Sequence, residues 1–356
     1  MHAFKLILAA FAASLFAFSS SVAKAGTSLR DDRDATLTTA ADAHLTHQAN
    51  HTWGGTSLCA TAGNPAPSSW EWIVGTEFAY MNVQGITATG LLYAYEQLWD
   101  DAYLAGAKIT GEMLVTCYDS LAGRPYSQDV EFLVKLSSLT NDKSYAGKAE
   151  SYYARTIAGF LTGDLLADYY IDARKSLAGW DLASQIRAAV AVGRADYASA
   201  IAAQLIARRA NWESVQYSGS DYTLISRASL LWALGELNDK LFGDFADELK
   251  AAVLGSQAFD GSWEGGDYQT TAYALLGLGT LPRRPEVQQA ISDGAAYLID
   301  TETAGGWFYD GDQYGEVNSE ALTALGAVRL DNGLHEGFTD PLPNVGNDHH
   351  PAEPAS

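Results

Sequence analysis

The chain has 356 residues, 47% of them hydrophobic, and its 43 acidic residues against 22 basic ones leave a formal charge of -21. A nucleic-acid binder or a protein held on an anionic membrane needs a basic face, so both classes are excluded. With 9 Trp, 19 Tyr and 12 Phe the chain is not wholly disordered, and two cysteines are too few for a disulfide scaffold.

The first segment has the order of a secretory signal peptide. Lys5 precedes an apolar run from Leu6 to Phe18, and Ala23-Lys24-Ala25 ends it in a small-x-small site. The run is too short to span a bilayer, so the expectation is a cleaved leader over 1–25 and no membrane insertion afterwards. An exported chain meets an oxidising compartment, so Cys59 and Cys117 are expected to pair. The protein is then secreted or periplasmic, with one domain over 26–332 and a flexible tail over 333–356.

Amphipathic segments follow, at about Leu29 to Ala49, Asp101 to Leu121, Ser144 to Leu161, Arg194 to Arg209, Asp239 to Leu254 and Pro285 to Asp300. Between them lie segments apolar on every side: Thr87 to Ala94, Phe132 to Leu139, Gln185 to Val192, Arg227 to Leu234, Thr271 to Leu278 and Asn318 to Leu325. Their ends fall 42 to 53 residues apart, a step that holds two helices and two connections. A helix apolar all round is buried all round. Six outer and six inner helices therefore predict an all-α fold, an (α/α)6 toroid. An open solenoid is the alternative, but it would leave end faces uncovered and need capping repeats.

In such a ring the inner helices run parallel, and their N-termini, with free N–H groups and partial positive charge, converge at one mouth. The connections entering them are rich in aromatic, glycine and acidic residues. Seven of the nine tryptophans lie there, Trp180, Trp263 and Trp307 among them. Asp129, Asp181, Asp221, Asp267 and Glu316 each stand just before or within the start of an inner helix. Helix capping explains such acids, because a carboxylate accepts from first-turn N–H groups. A catalytic set explains them too, since glycoside hydrolysis needs one carboxyl to donate a proton and another to activate water or attack.

The fifth connection contains Gln257-x-x-Asp260-Gly261-Ser262-Trp263, which resembles the QW repeat of squalene and oxidosqualene cyclases. The helix after it, Thr270 to Leu278, is similar to repeats of those cyclases and of protein prenyltransferase β-subunits. Gly305-Gly306-Trp307 is a degraded second copy, and the likeness in pattern runs from about Thr76 to Leu330. This resemblance to the terpenoid cyclase and prenyltransferase-like superfamily implies the α/α-toroid fold. It also implies a structural role for Gln257 and Trp263, tying neighbouring helices together. The family's chemistry does not carry over. The acid motif D-x-D-D is absent, no Asp, Cys and His set is placed to hold zinc, and the thioester Cys-Gly-Glu-Gln of related toroids is missing.

The candidates for acid and base are Glu264, Asp267, Asp310, Asp312 and Glu316. The candidates for ligand binding are Trp180, Asp181, Asp221, Tyr222, Arg227, Trp263, Tyr268, Trp307, Tyr309 and Tyr314. Flat aromatic faces beside carboxylates suit a sugar, whose CH-rich face stacks and whose hydroxyls bond to acids. The expected partner is a glycan or other small molecule, met by a hydrolase or lyase. A lyase would need a cation near the base, and Arg227 is the inner-helix residue available. Arg187 and Arg227 sit on apolar helices and must find partners, expected among the mouth acids. The alternatives are a non-catalytic protein binding a glycan or an apolar molecule in the same cavity, and a cyclase-like enzyme without the usual acid and zinc motifs. No cofactor motif is present. Asp310-x-Asp312 with Glu316 is the nearest approach to the oxygen ligands that Ca2+ takes.

Overall fold

The computed structural model describes residues 28–53, 65–119, 126–157, 170–172, 176–213, 216–217 and 220–330. The leader, Cys59 and the tail after 330 lie outside them, so the expected pairing of Cys59 with Cys117 does too. Among the described residues no helix is long and apolar enough to cross a membrane.

Among the described residues, twelve α-helices alternate as the period predicts. The outer helices are α1 (Leu29–Thr46), α3 (Asp101–Asp119), α5 (Lys143–Ile157), α7 (Ala195–Ala207), α9 (Gly243–Gly255) and α11 (Pro285–Thr301). The inner helices are α2 (Gln84–Leu98), α4 (Ser127–Thr140), α6 (Gly179–Ala191), α8 (Thr223–Leu237), α10 (Tyr268–Gly279) and α12 (Gly315–Ala327). Their packing follows their composition. Outer α1 buries Arg33, Thr36, Leu37, Ala40, Ala41 and His44, one stripe at helical spacing. Inner α10 buries every residue from Thr270 to Leu278.

Each inner helix packs on the next, α2 on α4, α4 on α6, α6 on α8, α8 on α10, and α10 on α12. Finally α12 packs on α2, so the ring is closed and the open solenoid is excluded. Small residues make this last seam. A Cβ on Gly90 would lie 2.8 Å from the Ser319 carbonyl, and one on Gly326 would lie 2.8 Å from the Tyr93 Cβ. At the same seam the Gly90 N–H donates to Ser319 Oγ at 2.8 Å, and Ser319 Oγ donates to the Ile86 carbonyl at 2.6 Å. Gly90→Ala is therefore expected to destabilise by about 1–3 kcal/mol through overpacking. Equilibrium urea unfolding measures it, and an unchanged midpoint would contradict the close approach.

Short strands, absent from the helical reading of the sequence, occupy four of the connections. The first holds a three-stranded sheet of β1 (Ala49–Trp53), β2 (Pro65–Ser69) and β3 (Phe78–Ala79), in the order β2-β1-β3. Three hairpins, β4–β5 (Tyr170–Asp172, Ser176–Leu177), β6–β7 (Gln216–Tyr217, Ser220–Asp221) and β8–β9 (Phe308–Tyr309, Asp312–Gln313), lead into α6, α8 and α12. The first and sixth connections also meet. Ile73 bridges Tyr314, and the Gly315 N–H donates to the Trp72 carbonyl at 2.9 Å. The ring is thus closed at its mouth by backbone pairing as well as by helix packing.

Candidate functional site

The connecting tryptophans turn out to be structural ties. Trp212, Trp263 and Trp307 are fully buried. Each indole N–H donates to a carbonyl of the preceding outer helix, at Leu205 (2.9 Å), Val253 (2.7 Å) and Leu298 (2.9 Å). Each of these carbonyls lies in the last turns of its helix and also accepts a backbone N–H at 3.2 Å, from Arg208, Ser256 and Glu302, so the indole is a second donor that ties the connection to the helix end. Gln257 Nε2 donates to the carbonyls of Gly261 (3.0 Å) and Ala290 (2.9 Å), joining the fifth connection to α11. The structural role expected of Gln257 and Trp263 fits this geometry. The expectation that Trp263 and Trp307 face a ligand does not, because neither ring reaches solvent.

The mouth acids divide into two kinds. Asp267 is a cap: it is the N-cap of α10 and accepts from the Thr270 N–H at 2.6 Å. Its other oxygen accepts from the Tyr309 hydroxyl at 2.9 Å. Asp221 is exposed and accepts from the Thr223 N–H at 2.9 Å, pinning the start of α8. Glu264 accepts from Thr270 Oγ1 at 2.7 Å, and burial first, then the Asp267 charge, raise its pKa against that bond. Asp310 and Asp312 flank the tip of the β8–β9 hairpin and are exposed. Asp310 and Gly311 have φ of 51° and 95°, the left-handed pair that a two-residue hairpin turn demands. The D-x-D spacing is turn chemistry, and these two acids are not drawn into the mouth. Among the described residues no three His, Cys, Asp or Glu side chains are grouped to hold a metal.

Asp181 and Glu316 are the other kind. Both lie in the first turn of an inner helix, and neither α6 nor α12 has a side-chain cap. They belong to the third and sixth inner helices, which face each other across the ring. Burial raises the Asp181 carboxyl to about 6. Burial, then the charge of Asp181, raises Glu316 to about 7. One turn below Glu316 on the same helix face is Glu320, only 3% exposed. Burial and then the Glu316 charge push Glu320 well above the carboxylate range, although the Tyr273 hydroxyl donates to its Oε1 at 2.5 Å.

Aromatic rings occupy the connections that lead into these helices. Trp72 is 44% exposed, and its ring lies 6.2 Å from Tyr80 and 5.9 Å from Tyr314. The series continues through Tyr309 (6.0 Å) to Tyr268 (5.2 Å), with all four of these tyrosines partly exposed. Beside Asp181, Trp180 and Tyr222 stack at 4.6 Å. Of the expected set, the structure therefore pairs Trp180 with Tyr222, joins Tyr268, Tyr309 and Tyr314 in one series, and sets the Asp181 charge against Glu316.

Below the mouth, all six inner helices line a cavity of about 260 Å3. Its charged and aromatic walls include Glu131, Arg187, Trp232, Glu236, Tyr273 and Glu320. Arg187 Nε donates to Glu131 at 2.8 Å, and its guanidinium lies 3.7 Å from the Trp232 ring centre. Trp232 Nε1 donates to Glu236 at 2.6 Å. Glu236 is raised to about 7, first by burial, although its side chain keeps solvent access. Arg227, expected to serve the mouth, is bound at 2.9 Å to Glu213 in the fourth connection. Glu213 also holds Arg209, which reaches Glu248. Neither arginine pairs with the mouth acids considered above, because nearer carboxylates take them first.

Sequence reasoning missed Glu131, Glu236, Glu320, Tyr273, Trp72 and Tyr80 as lining residues. Glu320 carries a signal, as an acid inside the otherwise apolar run Ser319-Glu-Ala-Leu322. A charge on an all-buried helix must face a partner or a cavity.

A ring of this architecture with an acid-bearing mouth defines the class of α/α-toroid proteins. Solved structures of that fold align over most of the chain. The GH76A alpha-1,6-mannanase from Salegentibacter sp. HEL1_6 aligns with a TM-score of 0.60 and 14% identity, covering 83% of this chain and 98% of that one. The type II terpene cyclase MstE from Scytonema, with geranylgeranyl dihydroxybenzoate bound, gives 0.55 and 13% over 84% and 97%. An unsaturated glucuronyl hydrolase specific for heparin gives 0.54 and 15% over 83% and 96%. At these identities the likeness is one of fold. No family model matches the chain, and no curated protein matches it.

Proposed function

We propose that the protein is an exported glycan hydrolase working at the mouth of the ring. One observation carries the reading. Asp181 and Glu316 stand in the first turns of opposite inner helices and interact across the ring, both with raised pKa values, and neither caps its helix. Buried acids held away from their ordinary pKa in a cleft mark functional sites. Two glycan-cleaving enzymes among the solved structures of the same fold support the substrate class.

The roles follow from which group holds its proton. Glu316, at about 7, is the general acid and protonates the glycosidic oxygen as the bond to the anomeric carbon breaks. Asp181, at about 6, is ionised first and takes the proton from the water that attacks that carbon. Exposed rings of Trp72, Tyr314 and Tyr268 hold the flat faces of the chain. Elimination is disfavoured, because Arg227 is committed to Glu213 and leaves no inner-helix cation beside the mouth acids. Export follows from the leader, and with it the Cys59–Cys117 bond.

Glycans screened by reducing-end assay test the proposal. For a cleaved glycan, kcat/KM is expected to rise through about pH 6 as Asp181 ionises and to fall above about pH 7 as Glu316 loses its proton. A flat profile from pH 5 to 8 would overturn the assignment. A cyclase-type reading draws on one feature, the buried neutral Glu320 among Tyr93, Trp232 and Tyr273. Turnover of a polyprenyl substrate with no glycan cleaved would favour it. Glycan binding without cleavage would favour the non-catalytic alternative.

A further inference from the structure

The axial cavity holds two buried polar atoms that nothing in the fold satisfies. Arg187 and Glu320 are each 3% exposed, and both line it. Arg187 uses Nε and Nη2 on Glu131 (2.8 and 3.4 Å), leaving Nη1 without a partner. Glu320 accepts the Tyr273 hydroxyl at Oε1 and is also approached by the Gln269 side chain, while Oε2 has no partner at hydrogen-bond distance. An unsatisfied buried polar atom costs roughly 1–3 kcal/mol, so a protein that keeps two in one cavity has a use for them.

The rest of the wall decides what fits. Ile86, Phe132, Val134 and Leu276 supply apolar surface, and Trp232 adds its ring. Nη1 is a donor. Oε2 is also a donor while Glu320 keeps its proton, as its burial and the nearby Glu316 dictate. The charges facing the space are Arg187, Glu131, Glu236, Glu320 and Lys135. The two cations are already paired, Arg187 with Glu131 and Lys135 with Glu96 at 2.6 Å. An anion would bring a further negative charge in among Glu131, Glu236 and Glu320, with no free cation to meet it. Thr89, Gln128, Ser138 and Thr323 add some polar groups, but the exposed wall is mainly apolar, so a sugar would set part of its hydroxyls against Ile86, Phe132 and Leu276.

We infer that this cavity is a binding site for a small, neutral, largely apolar molecule bearing an acceptor oxygen, which Arg187 Nη1 and Glu320 Oε2 hold against the Phe132, Leu276 and Trp232 wall. An engineered apolar cavity of about 150 Å3 takes benzene, so this one suits a body of roughly ten heavy atoms. The site lies below the mouth and is linked to the chemistry there only through the Glu316 charge acting on Glu320.

Acetophenone, ethylbenzene and benzoate test the inference, by calorimetry with the mature protein at pH 6. Acetophenone is expected to bind at least tenfold more tightly than ethylbenzene, which has its shape but no acceptor, and more tightly than benzoate. Ala191→Phe, which projects a ring into the cavity, is expected to abolish acetophenone binding while leaving far-UV circular dichroism unchanged. Equal affinity for ethylbenzene would remove the role of the two polar atoms. Tighter binding of benzoate would overturn the charge argument, and no binding by any probe would overturn the site. Glycan cleavage, present or absent, decides nothing here, so failure of this site and failure of the mouth chemistry are distinguishable.

Discussion

Asp181→Asn is expected to lose activity on a cleaved glycan by roughly 100- to 10,000-fold, the usual worth of a general acid or base, while becoming more stable at pH 8. The two effects share a cause. Burial raises the folded pKa of Asp181 to about 6 from an ordinary 3.8. A group raised in this way stabilises the fold below its unfolded pKa, and that contribution is lost as pH climbs through the folded one. The shift corresponds to about 3 kcal/mol, which partial solvent access reduces to about 2 kcal/mol. Asparagine has the same shape and no charge to bury. Its Tm should match that of the parent at pH 4 and exceed it by a few degrees at pH 8. A capping role would give the opposite sign, because loss of a cap carboxylate destabilises the helix at neutral pH. Melting curves at the two pH values, beside initial rates, separate the readings. Retained activity, or a lower Tm at pH 8, would count against Asp181 as the base.

Trp263→Ala is expected to destabilise the ring by about 3–5 kcal/mol, the range for a large buried aromatic cut to alanine. The side chain is fully buried and donates to the Val253 carbonyl at 2.7 Å. Its ring also lies so close to α11 that a Cβ on Gly294 would meet it at 2.7 Å. The substitution therefore opens a cavity between α9, α10 and α11 and removes one of the two donors to the Val253 carbonyl, leaving it the Ser256 N–H. Trp72→Ala is the contrast. That ring is exposed at the rim, so its removal should raise KM for a cleaved glycan about tenfold and move Tm by less than about 1 °C, as surface changes do. Chemical denaturation and steady-state kinetics on the pair test the division of tryptophans. Equal loss of stability in both would contradict it.

The alternation of half-buried and fully buried helices was legible because burial leaves a compositional mark. Ala272 to Leu278 has no polar residue and became a helix buried on every side, whereas Arg194 to Arg209 carries charges on one face and became outer α7. Function was less legible, since an acid at a helix start has the same letters whether it caps or titrates. Asp267 and Asp181 occupy similar places in the repeat. One accepts an N–H at its own helix, and the other is raised by burial and faces Glu316 across the ring. Asp310-x-Asp312 misled for a related reason, because acids suit both a metal site and a left-handed turn. For Trp263 the QW resemblance pointed to the structural role, and only the expectation of ligand contact at Trp263 and Trp307 failed, because a ring that stacks on sugar and one that plugs a helix end are the same residue.

By itself the sequence determined the period, the helix count and the sorting into inner and outer layers, because hydrophobic pattern and helix geometry are local properties of the chain. Only the tertiary structure decided the site. Glu316 and Asp181 are 135 residues apart in sequence and interact only because the ring closes. The raised pKa values of Glu316 and Glu320 come from desolvation, which exists only once six helices have excluded water from the axis. Part of the acid excess that first excluded nucleic acid and anionic membranes is thus placed where the fold brings carboxyls together and burial raises their pKa values.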